Sequence, residues 1–132
     1  MPRMDVEPLR RAADARVRFV PRFVTDPEIP AYFRRADLVV LPYREIDQSG
    51  VLYTALAFGK PMVLSDVGGF PEVGAGRLVT PGDAGALSSA LTELLIDESE
   101  RRQLGEDARR AAQDRYSWDR AAELTLTLYR EL

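Results

Sequence analysis

The chain has 132 residues, which suits one compact domain and is too short for two well-packed ones. Its content of 45% hydrophobic and 30% charged residues is typical of a globular protein, and a net charge of −3 argues against a broad nucleic-acid-binding surface. Neither cysteine nor histidine is present, which excludes disulfides, thiol chemistry and histidine-dependent hydrolysis, and we expect no metal site.

The segment from Met1 to Asp5 lacks the profile of a signal peptide. No apolar run approaches the ~20 residues that are needed to span a bilayer. We therefore expect a cytoplasmic protein with no membrane span and no nucleic-acid partner.

Short apolar runs alternate with longer periodic segments, a pattern that indicates an α/β domain with a mostly parallel sheet. The amino-terminal part predicts a helix over 7–15 and a strand over 17–20. A second helix is expected to start at Thr25, with Glu28 at the capping-box position, and a buried strand to follow over 38–41. The predicted buried face of the second helix consists of Ile29, Tyr32, Phe33 and Ala36.

The carboxy-terminal part predicts a helix over 50–58, strands over 62–64 and 77–79, and helices over 84–96 and 98–115. A last helix is expected after Ser117, and Asp83 and Ser117 are the predicted caps of the helices that follow them. The residues predicted to face the core from the last three helices are Leu87, Ala90, Leu91, Leu94, Leu95; Leu104, Ala108, Ala111, Ala112; and Trp118, Ala121, Ala122, Thr125, Leu128, Tyr129.

These elements predict a Rossmann-like, three-layer fold, with a parallel sheet covered by helices on both faces. Four strands are fewer than a complete doubly wound sheet usually has, and a sheet built by crossovers usually begins with a strand. We therefore expect one domain over 1–132, incomplete at its amino-terminal side, with carboxy-terminal helices over 98–132.

The segment 42–51 leaves a buried strand and enters a buried helix, so it lies at the sheet edge where α/β proteins bind ligands. Gln48, Ser49 and Gly50 are expected to present backbone N–H groups to an anion at the helix start, with Arg44 adding a guanidinium. The alternative is a polar loop in which Ser49 only caps a core helix.

A second loop, over 65–72, leaves the next strand at the same edge. Gly68 and Gly69 permit tight backbone geometry, and Glu72 is suited to accept hydrogen bonds from ligand hydroxyls. Alternatively, this is a glycine turn followed by a helix that starts at Pro71. Two such loops at neighbouring strand ends favour a cleft.

Several segments in succession carry a family resemblance, namely 36–43, 50–61, 65–72, 76–83 and 116–118. In this order they resemble the donor-binding domain of retaining GT-B glycosyltransferases of the glycogen-synthase-like, "glycosyl transferases group 1" kind. The resemblance runs from near Val17 to Leu132. It implies that the chain binds a nucleoside diphosphate sugar, such as a UDP-sugar, as substrate and needs no further cofactor.

The resemblance also assigns site residues. It places the donor diphosphate on Gln48, Ser49, Gly50 and Val51, and backbone contacts to the nucleobase on Arg22 and Phe23. The residues that it places near the active cleft are Gly68, Gly69, Pro71 and Glu72.

Two positions depart from the family pattern, which has two glutamates eight residues apart. Ile46 stands at the first position and Thr54 at the second. Glu45 lies one residue early and is a candidate catalytic group only if the loop shifts, so no catalytic residue is assigned. Thr54 retains a hydroxyl that can bind a ribose hydroxyl.

The resemblance implies a complete enzyme with two domains, of which the acceptor-binding domain and the front of the donor domain are absent here. We therefore expect the chain alone to transfer no sugar and to bind a nucleotide weakly. The alternative is a non-catalytic nucleotide- or partner-binding module derived from that domain. An exposed sheet edge also predicts a homodimer or another form of self-association.

Overall fold

The computed structural model describes residues 5–132, so most of the Met1–Asp5 segment discussed above lies outside the described residues. Within this range, no helix combines the length and the apolar character that crossing a membrane requires. The elements in chain order are α1 (Glu7–Ala12), α2 (Ile29–Arg35), β1 (Val39–Leu41), α3 (Gly50–Ala57), β2 (Met62–Ser65), α4 (Phe70–Val73), β3 (Arg77–Val79), α5 (Ala84–Ile96), α6 (Glu98–Asp114) and α7 (Trp118–Glu131).

The three strands form one parallel sheet in the order β1-β2-β3. Val40 of β1 is paired with Val63 of β2, and Leu64 of β2 with Leu78 of β3. Every residue of β2 is buried, as expected for the central strand of a sheet that is covered on both faces.

Alternate side chains of β2 enter two separate hydrophobic clusters, because successive residues of a strand point to opposite faces. Met62 and Leu64 pack with residues of α3, α4 and α6, whereas Val63 packs with α5. The sheet is thus the middle of three layers. The predicted α/β fold with helices on both faces is confirmed, and Asp83 caps α5 as predicted, with its carboxylate accepting a hydrogen bond from the Ala86 N–H.

The predicted strand over 17–20 is wrong. Among residues 5–132 this segment has no ladder partner, and the residues around it form local turns, with hydrogen bonds from Val17 N–H to Asp14 O and from Arg22 N–H to Val20 O. The described sheet therefore has three strands, where the sequence predicts four. A strand forms only where a neighbour accepts its hydrogen bonds, and apolar residues alone do not supply one.

Two predicted helix boundaries also shift because polar side chains hold the backbone in turns. Asp14 accepts a hydrogen bond from the Arg16 N–H, and α1 ends at Ala12. Both the N–H and the hydroxyl of Thr25 donate to the Glu28 carboxylate, and α2 begins only after this turn.

The prediction of a buried face on the last helix is wrong. Every residue of α7 is exposed, and Trp118 is exposed over 91% of its surface. Leu95 of α5 is exposed as well, whereas the predicted inward residues Ala108 and Ala111 of α6 are buried. Periodicity shows that a helix has an apolar face, but it does not show that another element covers that face.

Candidate functional site

The start of α3 carries hydrogen-bond donors that have no acceptor in the described part of the chain. Ser49 is the cap residue, in an extended conformation, and only 5% of its surface is exposed. Its hydroxyl makes no capping hydrogen bond, and the N–H groups of Gly50 and Val51 have no acceptor among residues 5–132. Gly50 and Val51 are both exposed, and a Cβ at Gly50 would have no neighbour within 4 Å, so the space beside the helix start is open.

The second glycine loop packs directly against the loop before α3. Gly69 N–H donates to Asp47 O at 3.2 Å. Gly68 has a φ of +52°, and a Cβ there would lie 2.0 Å from Ile46 O, so only glycine allows this approach. The two loops that the sequence predicts at one sheet edge are therefore in contact.

An open groove, called the α3 groove below, runs from the α3 start to α2. Its volume of about 710 Å³ is within the size range of ligand sites. Tyr43, which lines the groove, meets Phe70 edge to face, with ring centroids 5.9 Å apart. The residues that line the groove are Val24, Ile29, Tyr32, Phe33, Tyr43, Ile46, Gln48, Ser49, Gly50, Val51 and Thr54.

Five of the candidate donor-binding residues line this groove, whereas Arg44 does not. The five are Gln48, Ser49, Gly50, Val51 and Thr54. Arg44 lines a separate recess of about 210 Å³ between the strand ends and the α5 start, together with Ser65 and Asp83. A further groove of about 1040 Å³ lies between α3 and the beginning of α7, and it shares Gln48 and Thr54 with the first.

The two residues proposed to contact the nucleobase lie in the irregular segment before α2. The Arg22 guanidinium pairs with Glu28, with 2.6 Å between Arg22 Nη2 and Glu28 Oε1. This hydrogen bond, assisted by the N–H and hydroxyl of Thr25, lowers the pKa of the Glu28 carboxyl to about 2. Phe23 is 82% exposed. Neither Arg22 nor Phe23 lines the α3 groove.

The candidate acidic residues also remain outside the groove. Glu45 and Glu72 are both exposed, and neither lines the groove. The backbone oxygen of Glu72 accepts a hydrogen bond from Arg115 at 3.1 Å, which ties α4 to the end of α6. Thr54 does face the groove, and its hydroxyl donates to Gly50 O at 2.9 Å.

The groove wall formed by α2 was missed by sequence reasoning. Tyr32 and Phe33 were predicted to be core residues, yet Tyr32 is 45% exposed and both line the groove. Phe33 stacks on Phe58, with ring centroids 5.4 Å apart, so the wall is fixed to the end of α3. The only signal in the sequence was the apolar face of α2, which does not distinguish a groove from a core.

Comparison with known proteins identifies the family. The family model described as "Glycosyl transferases group 1" matches residues 2–97, which include the groove and both glycine loops. The chain belongs to this family. The resemblance inferred from the sequence is thereby confirmed.

Two of the curated relatives are named as sugar transferases. The chain is 34% identical to the MMP alpha-(1->4)-mannosyltransferase of Mycolicibacterium hassiacum over 80% of its own length and 27% of that protein. It is 38% identical to the D-inositol 3-phosphate glycosyltransferase of Salinispora tropica over 88% of its own length and 24% of that protein.

Among solved structures, the chain resembles the sucrose-phosphate synthase of Thermosynechococcus elongatus, with a TM-score of 0.71 and 32% identity. The match covers 78% of this chain and 27% of that one. The chain therefore spans about a quarter of the length of the relatives that it matches.

Proposed function

We propose that this chain is the donor-binding half of a glycosyltransferase and that the α3 groove holds a nucleoside diphosphate sugar of the UDP-sugar type. The observation that carries this proposal is the set of unused donors at the α3 start, namely the Gly50 and Val51 N–H groups and the Ser49 hydroxyl. The helix dipole favours an anion at this point, and an open glycine lets a phosphate come close.

Such a site supports sugar transfer by stabilising the leaving group. Negative charge grows on the diphosphate as the sugar departs, and fixed N–H donors hold that charge without reorganisation. The aromatic and aliphatic part of the groove, including Tyr32 and Phe33, offers an apolar surface for the nucleoside.

Acceptor binding is assigned to the part of the relatives that this chain does not span. The relatives are about four times as long as the matched region, which leaves room for a separate acceptor domain. We expect the chain alone to bind the nucleotide weakly and to transfer no sugar, because it spans only about a quarter of the length of these relatives.

The diphosphate assignment is tested by titrating the ¹⁵N-labelled chain with UDP and following its amide resonances. We expect the largest shifts at Gly50 and Val51, since their N–H groups would gain an acceptor. Shifts that spare these two amides at a saturating UDP concentration would rule out the assignment.

A pair of variants at Gly50 separates charge from shape. A Cβ at this position would meet no neighbour within 4 Å, and a carboxylate at a helix start favours the helix itself. Gly50→Asp should therefore remain folded but lose at least tenfold in UDP affinity, since its charge opposes the phosphate. Gly50→Asn, of the same shape without the charge, should lose much less; equal losses would refute the electrostatic argument.

A second candidate function is a non-catalytic binding module, favoured by the uncharged lining of the groove. The enzyme and the binding module are distinguished by fusing the chain to the part of the D-inositol 3-phosphate glycosyltransferase of Salinispora tropica that it does not span. Sugar transfer by the fusion would support the donor half of an enzyme. Nucleotide binding without transfer, in a fusion that folds, would support the module.

A further inference from the structure

The α3 groove has no charged side chain among the residues of 5–132 that line it. All eleven residues that line it are uncharged at neutral pH. Glu28, which immediately precedes α2, is held outside the groove by Arg22 and Thr25. Asp47 contributes its backbone oxygen to the contact with Gly69 and does not line the groove.

Thr54 lines the groove within reach of a nucleotide whose diphosphate is bound at the α3 start. It lies four residues after Gly50, so it occupies the same helix face about 6 Å further along the axis. The ribose is attached directly to the diphosphate, so a diphosphate at the Gly50 N–H brings the ribose within about one helical turn of Thr54.

The hydroxyl proton of Thr54 is already engaged in a hydrogen bond within α3. The hydroxyl donates to Gly50 O at 2.9 Å, which leaves only lone pairs for a ligand. A ribose hydroxyl at this position would therefore meet a neutral acceptor. A neutral hydrogen bond of this kind contributes roughly fivefold to an affinity, whereas one to a carboxylate contributes roughly 10- to 100-fold.

We propose that this groove accepts 2′-deoxyribonucleoside diphosphates, including donors of the thymidine diphosphate class, nearly as well as ribonucleoside diphosphates. The inference rests on the proposed function, since it concerns the same groove. It goes further because it states which part of the nucleotide the groove does not select.

UDP and 2′-deoxy-UDP test this directly, because they share base and diphosphate and differ only in the 2′-hydroxyl. Amide titrations of the unmodified chain, carried to about 10 mM to detect a dissociation constant near 1 mM, should give affinities within about fivefold. A deoxy form that binds more than tenfold more weakly would overturn the inference and leave the diphosphate site standing. If UDP leaves Gly50 and Val51 unperturbed, the proposed function fails, and the inference fails with it.

A gain of selectivity provides the complementary test. Thr54→Glu places a carboxylate on the groove face and should raise the preference for UDP over deoxy-UDP about tenfold or more. Ala57→Glu is the matched control, since Ala57 is exposed on the same helix and does not line this groove. We expect Ala57→Glu to leave the preference unchanged. An unchanged preference in a folded Thr54→Glu chain would show that residue 54 does not face the ribose.

Discussion

Replacing Gly105 by alanine probes the contact that fixes α6 against the end of α3. Gly105 is buried in α6, and a Cβ at this position would lie 2.8 Å from Gly59 O and 3.8 Å from Pro61 Cδ. Real Cβ atoms do not approach a backbone oxygen so closely, so α6 must move away from the turn after α3. The turn is held to α3 by hydrogen bonds from Gly59 N–H to Leu56 O and from Lys60 N–H to Ala55 O, which limits how far the Gly59 carbonyl can move away.

The sign of the effect follows from two opposing magnitudes. Alanine in place of glycine inside a helix stabilises by about 1 kcal/mol. Forcing an extra group into a packed contact costs about 1–3 kcal/mol, and here the obstacle is backbone, which has little room to relax. We therefore expect Gly105→Ala to lower the free energy of unfolding by about 1 kcal/mol, and by more if Gly59 cannot move.

Urea unfolding followed by circular dichroism measures this difference. Gly85→Ala is the matched control, because Gly85 lies in α5 and its added Cβ would meet only Asp83 Oδ1 at 3.4 Å, an ordinary contact. The control should stabilise by about 0.5 kcal/mol, so the two substitutions should have opposite signs. Stabilisation of both to the same extent would refute the claim that Gly105 is required for close packing.

Three further predictions concern charge, the end of α6 and self-association. Because the pKa of the Glu28 carboxyl is lowered from 4.5 to about 2, its stabilising contribution is complete above pH 4.5 and is lost as the pH falls towards 2. Glu28→Gln should therefore be less stable than the unmodified chain at neutral pH, with the difference in urea unfolding vanishing across that window; a difference that persists at pH 2 would contradict the pairing. Arg115→Ala should lower the free energy of unfolding by about 1–2 kcal/mol in the same assay, because Arg115 donates to two carbonyls at the end of α4. Arg102→Ala, which removes an exposed ion pair within α6, is the control, and a smaller loss in Arg115→Ala than in this control would refute the prediction. The exposed apolar face of α7 should promote dimer formation, which sedimentation velocity measures, and Leu128→Glu should reduce the dimer fraction. A single sharp monomer boundary at high concentration would count against self-association through α7.

Local chemistry explains which elements were predictable. The strands over 38–41, 62–64 and 77–79 were expected to within a residue or two, because continuous apolar runs bounded by turn residues suit a sheet covered on both faces. Asp83 and Ser117 cap their helices as expected, since a cap depends only on residues within one turn. The contact between the two glycine loops also followed from the rule that parallel strands end at one edge.

Placement across the fold was not predictable in the same way. The segment over 17–20 reads as a strand, but its pairing depends on a neighbour that its own residues do not specify. The apolar faces of α2 and α7 have the same periodicity as that of α6, yet one lines a groove and another is exposed to solvent. Gly105 and Gly85 look alike in sequence and differ only in what lies opposite them.

By itself, the sequence determined the fold class, the family and the position of the helix start that carries the proposed diphosphate site, since these depend on short-range patterns and on the order of motifs. Tertiary structure alone decided that the Gly50 and Val51 N–H groups have no acceptor within residues 5–132, that α2 forms the groove wall and that the Thr54 hydroxyl donates to Gly50 O. The physical reason is that hydrogen-bond satisfaction and burial are properties of pairs of segments, and a pair exists only once the chain has folded.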